Sequence, residues 1–439
     1  MKKMIKYKLG EIATVEISGV DKKIKDGETP VKLCNFVDVY YNWAITSEMK
    51  SKFMDASARQ NEIDRFKLKR GQVALTKDSE TRFDIGVPTY IADSFDDVIL
   101  GYHNALITPN PDKLSGKYLN ALLHTDYAKT YFANNASGSG QRYSLSVDAL
   151  NNFPVPFIPL DEQKRIGDIF SSIDQKIALN RAINDNLEAM AKQLYDYWFV
   201  QFDFPNENGK PYKSSGGKMV WNEKLKREIP KNWLHKDIKS FMRIFTGKKD
   251  VSKAIPGPYK FFSCAPEPIT SDEYIYDGAA VLVSGNGSYT GRVNFYRGKM
   301  DLYQRTYACV VEEDDSTIPF FYYTLRYLFQ PIFSGGKHGS SIPYIVLGDL
   351  ADFMFAYNAD IVKLFVESIN AVFNKIMVLQ KEIEDLTKHR DELLPLLMNG
   401  QVSVNYHLYY WIFSSYHSRT ISVPSSYHVR SGEVNRHLF

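Results

Sequence analysis

Four short segments hold the side chains best suited to chemistry. TKDSETR offers Lys77 and Arg82, and a Gly- and Ser-rich stretch further on offers Gln141, Arg142 and Tyr143. SGNGSYTGR offers Asn286, Ser288, Tyr289 and Arg292, and SGGKHGSS offers Lys337, His338, Ser340 and Ser341. Amide, hydroxyl and guanidinium groups of this kind donate and accept hydrogen bonds at base edges, and the cations among them contact phosphate. Arg142 suits the paired acceptors of guanine and Gln141 the donor and acceptor of adenine, though spacing assigns neither. A solvated turn explains any one segment alone. Their placement in two pairs favours binding.

Signatures of catalysis are missing from the sequence. There is no GxxxxGK[ST], and the Gly-Lys pairs at Gly247, Gly298 and Gly336 lack the upstream glycine and the following hydroxyl. No Gly-rich strand-to-helix fingerprint and no Asn-Pro-Pro-aromatic box is found. Asp161, Glu162, Lys164 and Arg165 follow Pro159 at an expected helix start, where acids oppose the positive dipole end, so they read as capping rather than as a nuclease cluster. His103, His124, His235 and His338 have no Ser or Cys in a nucleophile elbow. Cys34, Cys264 and Cys309 are far apart, with no CxxC spacing, and are expected as buried thiols. The chain is expected to bind no cofactor or metal of its own.

The elements that must position the four segments come in duplicate. The 439 residues carry a net charge of only +3, with 44% apolar and 14% aromatic content, enough for several folded domains. Resolved by segment, that charge separates into mildly basic stretches and two acidic ones, 160–200 and 358–400, each with a net charge of −2. Within the first, Ile166, Phe170, Ile173, Ile177, Asn180, Asn184, Leu187, Ala191, Leu194 and Trp198 step by four and three. Moved forward by 199 positions, the ladder becomes Phe365, Ile369, Val372, Ile376, Leu379, Ile383, Leu386, Arg390, Leu393 and Leu397. Such a stepping predicts a coiled-coil seam, with the two helices packed on each other as an antiparallel pair and the asparagines fixing register. Two separate core helices are the plainer alternative, against which the fixed offset weighs.

Similarity extends upstream of the helices. RGQVALT resembles DGAAVLV, and Leu9, Ile12 and Val15 match Ile238, Phe241 and Ile244. In both halves a polar loop leads into Leu-x-x-Phe, at Leu150 and Phe153, then at Leu350 and Phe353. The expected class is α+β: two mixed domains, 1–158 and 231–357, each followed by a long helix, 159–200 and 358–403, as an internal pseudo-two-fold repeat. Residues 201–230 read as an exposed linker from their Gly, Pro, Asn and Ser density. The tail, 404–439, holds His407, His417, His428 and His437, whose wide spacing argues against a metal site, and it is expected to be poorly ordered. No apolar run approaches the ~20 residues of a membrane span, and the start lacks a signal peptide, so a cytoplasmic protein is expected.

With these pieces assembled, the chain resembles the DNA specificity subunit of type I restriction-modification systems over roughly residues 5 to 403. The most specific pieces are IPLDEQKRIGDIFSSIDQKI, with its Pro-Leu-x-Glu-Gln helix entry at Pro159 to Gln163, and the segment from Trp198 to Trp233. The second helix departs from that entry, with YNADIVKLF in its place. The resemblance implies a non-catalytic subunit that recognises a bipartite asymmetric target in double-stranded DNA, each variable domain reading one half while the helices hold the halves apart. It implies two methyltransferase subunits and restriction subunits as partners, with S-adenosylmethionine, ATP and Mg belonging to those partners. A helix from Ile166 to Trp198 would span roughly 50 Å at ~1.5 Å per residue, which suits such a spacer. A stand-alone nuclease and a non-DNA coiled-coil scaffold are the alternatives.

Overall fold

A computed structural model describes residues 6–140, 142–312, 315–339 and 341–398. By packing, the described residues divide into two units: those up to Asn180 together with those from Glu382 to Met398, and those within Arg181–Lys381. Each unit therefore owns part of both long helices, Leu160–Tyr195 and Ala359–Met398. The tail with its four histidines lies outside the described residues, as does the Leu397 side chain.

The first unit is built on a five-stranded sheet in the order Ala13–Ile17, Asn104–Pro109, Val73–Thr76, Pro88–Ile91, Ala44–Ile45. Its strands alternate between two cores. Val15, Val73, Leu75, Ala105 and Ile107 face one, shared with the helix Gly116–Leu123 and the long helices. Ala74, Ile91, Leu106 and Ile45 face the other, shared with the small sheet of Met54–Ala58, Thr29–Cys34 and Val98–Leu100. The run VALT is buried without a break because side chains alternate across a strand and both faces here are covered.

Gln163 explains the Pro-Leu-x-Glu-Gln entry. Buried at 3% exposure, its amide donates to the carbonyls of Ile158 (2.8 Å) and Lys113 (3.1 Å) and accepts from the Ser115 N–H (3.0 Å). It thus ties the start of the first long helix to the chain entering it and to the cap of the helix at Gly116. Asp161 and Glu162 occupy the first turn. The second long helix starts differently, with the Asn358 side chain accepting from the Ile361 N–H at 3.1 Å.

Within the first unit, Ile166, Ile169, Phe170, Ile173 and Ile177 share a core with Leu386 and Leu394, and Lys176 pairs with Glu382 at 3.4 Å. The Trp43 ring lies 6.5 Å from Phe170 and carries the Arg390 guanidinium 5.0 Å from its centroid. Rising numbers on one helix meet falling numbers on the other, so the segments are antiparallel. Arg390, the one polar rung of the second ladder, is there to cover an aromatic ring. Trp43 also stacks on His124 at 3.9 Å, which burial above all holds neutral, with a pKa pushed down to about 3.

The second unit repeats the scheme. Its six strands are ordered Arg243–Thr246, Thr306–Val310, Tyr276–Ser284, Val293–Leu302, Tyr259–Phe262, Ile269–Ser271. Ala279, Val281, Val283 and Cys309 face the main core, and Ala280, Leu282, Ala308 and Val310 face a smaller one. Ala191, Tyr195 and Trp198 pack with Val362, Phe365, Ile369 and Phe373, again in antiparallel sense, Trp198 lying 5.8 Å from Phe365. Ile376, Leu379, Asn180 and Asn184 are buried, whereas Leu187, Leu194, Val372, Ile383 and Leu393 are only half-buried. Tyr195, Phe373 and Leu394 take the inward places beside them. A straight helix drifts ~20° per heptad from a strict 3.5 repeat, and the first helix ends in a π turn, Asp196–Val200, that brings both Trp198 and Phe199 inward.

The duplication is also visible in hydrogen bonds. Lys6–Lys8 pairs with Pro154–Pro156, and Leu234–Asp237 with Met354–Tyr357. The Leu9 N–H donates to the Phe153 carbonyl at 2.9 Å, and the Ile238 N–H to that of Phe353 at 3.3 Å.

Two expectations need correction. The segment 201–230 is no bare linker. Phe202, Phe204 and Ile229 are buried around Trp233, and Met219–Asn222 pairs with Arg227–Pro230 as a hairpin. The Arg227 guanidinium also lies over Phe202 and donates to the Val200 carbonyl at 2.6 Å. Gly and Pro set the turns of this module while the irregularly spaced aromatics hold it. Of the cysteines, Cys34 and Cys309 are buried, but Cys264 is half-exposed, its thiol 3.4 Å from the Arg305 carbonyl oxygen to which it donates.

Candidate nucleic-acid interface

Each unit gathers its candidate side chains at the end of its central strand. In the first unit that strand ends at Thr76. The Gly86 N–H returns to the Thr76 carbonyl at 3.0 Å, closing the loop 77–86, and the Leu145 N–H donates to the Lys77 carbonyl at 2.8 Å. A small sheet of Ser137–Ser139, Arg142–Ser144 and Asp78–Ser79 completes the platform. In the second unit the strand ends at Ser284. The Gly291 N–H returns to the Ser284 carbonyl at 2.8 Å, and the Ile345 N–H donates to the Gly285 carbonyl at 2.9 Å.

The closing glycines are required. Gly86 and Gly291 both have φ +82°; a Cβ on the first would lie 2.4 Å from the Phe132 ring and on the second 2.5 Å from the Phe333 carbonyl oxygen. Side chains rarely adopt that backbone region, and here space is lacking as well. The sequence comparison missed this pair because the loops they close differ in length and composition.

Lys77, Arg82, Arg142 and Tyr143 are brought together in the first unit. Lys77 is half-buried and its ammonium donates to the Asp78 carboxylate at 2.8 Å, which also meets His103. Burial would raise the Asp78 pKa, but hydrogen bonds from Lys77, Ser144 and His103 outweigh it and hold the carboxyl below its ordinary value. Lys77 is thereby committed to building the loop base. Arg82 and Arg142 are exposed, Arg82 with its guanidinium 5.2 Å from the Tyr143 centroid. Gln141 lies outside the described residues.

Asn286, Ser288, Tyr289, Arg292, Lys337, His338 and Ser341 converge in the second unit. Asn286 and His338 each bridge to Tyr344, whose ring stacks on His338 at 5.3 Å. His338 Nε2 meets Asp349 at 3.1 Å, and the Lys337 ammonium lies 4.3 Å over Phe333. Arg292 donates to the carbonyls of Ala265 (2.6 Å) and Pro266 (3.1 Å), so it fixes a neighbouring loop. Ser288, Tyr289, Lys337 and Ser341 are exposed. Ser340 lies outside the described residues. Exposed hydroxyl, guanidinium, ammonium and aromatic groups on a braced base can contact phosphate and base edges. Among the described residues, no group of three or more His, Cys, Asp and Glu is placed to hold a metal, and no helix is long and apolar enough to cross a membrane.

Comparison with known proteins follows the same lines. Residues 1–189 match the family model described as type I restriction modification DNA specificity domain. The type I restriction enzyme MjaIX specificity subunit of Methanocaldococcus jannaschii is 24% identical over 320 residues, 67% of this chain and 70% of that one. The EcoDI specificity subunit of Escherichia coli is 31% identical over 182 residues, 40% of each chain. The solved type I restriction-modification S subunit from M. genitalium shares the fold, with a TM-score of 0.56 at 15% identity, covering 90% of this chain and 97% of that one.

Proposed function

We propose, from a chain whose first 189 residues match the family model of the type I restriction modification DNA specificity domain, that this protein reads a two-part, asymmetric target in double-stranded DNA and brings modification and restriction subunits to it. The observation that carries this is the double construction of the binding platform. Each unit closes a loop on a left-handed glycine at the end of its central strand and presses a second loop against it. One unit would read one half of the target. The chain itself would supply no catalysis, and S-adenosylmethionine, ATP and Mg would act in the partner subunits. Two methyltransferase subunits would dock on the helical segments, and the complex would work in the cytoplasm.

The test is an exchange of residues 1–158 for those of a homologue of different specificity, followed by single-molecule sequencing of methylated bases in cells carrying the complex. One half of the methylated site should change and the other stay. A change in both halves, or in neither, overturns the modular assignment. Salt dependence separates this function from a scaffold role, because phosphate contacts release counterions and make duplex binding fall steeply with salt.

A further inference from the structure

We propose that Phe83 and Tyr289 are aromatic wedges that enter the base stack of the bound duplex, one from each unit; this rests on the DNA-recognition function above. Phe83 is the most exposed large apolar side chain among the described residues, at 84%. Its loop is not slack. On one side of it the Thr81 N–H donates to Ser79 Oγ at 3.2 Å, on the other the Tyr40 hydroxyl donates to Asp84 at 2.7 Å, and Gly86 closes the loop. A ring held in water by anchored neighbours adds nothing to either core of its unit.

Tyr289 occupies the corresponding place in the second unit, 46% exposed in the loop that Gly291 closes. Its neighbour Thr290 is pinned, its one hydroxyl proton lying between the carbonyl oxygens of Gly287 (2.6 Å) and Pro343 (2.9 Å). Each loop has an arginine in it or next to it. Arg82 precedes Phe83 and lies against Tyr143, and Arg292 lies 5.1 Å from the centre of Tyr289 itself. Two loops of unrelated sequence thus each turn a ring outward, with an arginine in the loop or next to it.

That pairing has a use on DNA. Apolar side chains inserted between base steps unstack and kink the duplex, and nearby cations offset the phosphate repulsion that bending brings. A ring stacks on any base, so the wedges would set where the duplex yields rather than which base is read. Pyrimidine–purine steps open most easily and should lie where the wedges enter.

The probe is the duplex that the full chain, copurified with its methyltransferase subunits, enriches from a random pool, remade with 2-aminopurine at successive positions. Fluorescence should rise on binding at one position in each half. Phe83→Ala should abolish the rise in one half only and Tyr289→Ala in the other, with affinity lower by roughly 5- to 150-fold and an unchanged salt slope, since no charge is lost. Phe83→Trp should keep the signal. Both sites are exposed, and thermal melts equal to wild type would show that the fold is intact. Binding without any fluorescence rise, or wild-type affinity in both alanine variants, overturns the wedges while leaving DNA recognition standing. Failure to enrich any duplex overturns DNA recognition itself, and the wedges with it.

Discussion

Replacing Gln163 with leucine tests how the first long helix is seated. Leucine is close in volume, but it leaves the Ser115 N–H and the carbonyls of Lys113 and Ile158 without the amide that now joins them. At a net ~1 kcal/mol per hydrogen bond, and more where an orphaned group stays dry, the three together are worth about 3 kcal/mol. With a urea dependence of roughly 2–3 kcal/mol per M, the midpoint should fall by about 1 to 1.5 M. Gln163 belongs to the first unit, as does Trp43. Urea melts of the full chain followed by fluorescence, with a Trp43→Phe background to identify the first unit's transition, should therefore show that transition moving alone. Gln163→Glu should cost at least as much, because it removes the donor and sets a carboxylate against two carbonyl oxygens. A Leu variant whose midpoint moves by less than about 0.2 M, well inside the expected shift, would refute the triad as the seat of the helix, and so would equal movement of both transitions.

Arg390→Leu should lower the first unit's stability by about 0.5 to 2 kcal/mol, the range of a cation held over an indole, and should change Trp43 emission; unchanged emission would count against the contact. Gly86→Ala should cost well over ~1 kcal/mol, since it adds a clash with Phe132 to the strain of a left-handed residue. Gly287→Ala, also left-handed at φ +80° but with nothing within 4 Å of the new atom, should cost only that strain, and equal losses in the two would refute the packing argument. Asp78 is held below its ordinary pKa of 3.8, so its stabilisation is full above that value and disappears as pH falls through the lower folded one. Asp78→Asn should therefore lose stability at neutral pH and flatten the acid limb of the pH–stability curve, and an acid limb as steep as wild type would contradict it.

Much of this architecture was legible because its signals are periodic. A ladder stepping by four and three persists whatever lies across from it, so both long helices and their duplication stand out. Arg390 was visible only as the ladder's exception; its reason, Trp43, lies near the other end of the chain, and no local pattern links them. The module after Phe202 was hidden because Phe202, Phe204, Tyr212 and Trp233 follow neither a helical nor a strand period, while its glycines and prolines read as slack. The candidate loops were found from side-chain chemistry alone, which does not tell an exposed cation from one committed to structure. Lys77 and Arg292 are committed, and Arg82 and Arg142 are exposed. Phe83 escaped for the converse reason, since an apolar residue in a polar loop looks ordinary until its exposure is known.

The division of the chain into units also has a consequence for how it is made. The first unit is interrupted in sequence, for its core includes Leu386 and Leu394, which lie beyond the whole of the second. A ribosome working at ~5–20 residues per second needs roughly 10 to 40 s to pass through Arg181–Lys381. Throughout that interval the stripe of Ile166, Ile173 and Ile177 has its earlier-made neighbours but lacks the cover of Leu386 and Leu394, while the continuous second unit has all it needs to fold. Order of synthesis and order of completion are therefore reversed: the unit begun first is finished last.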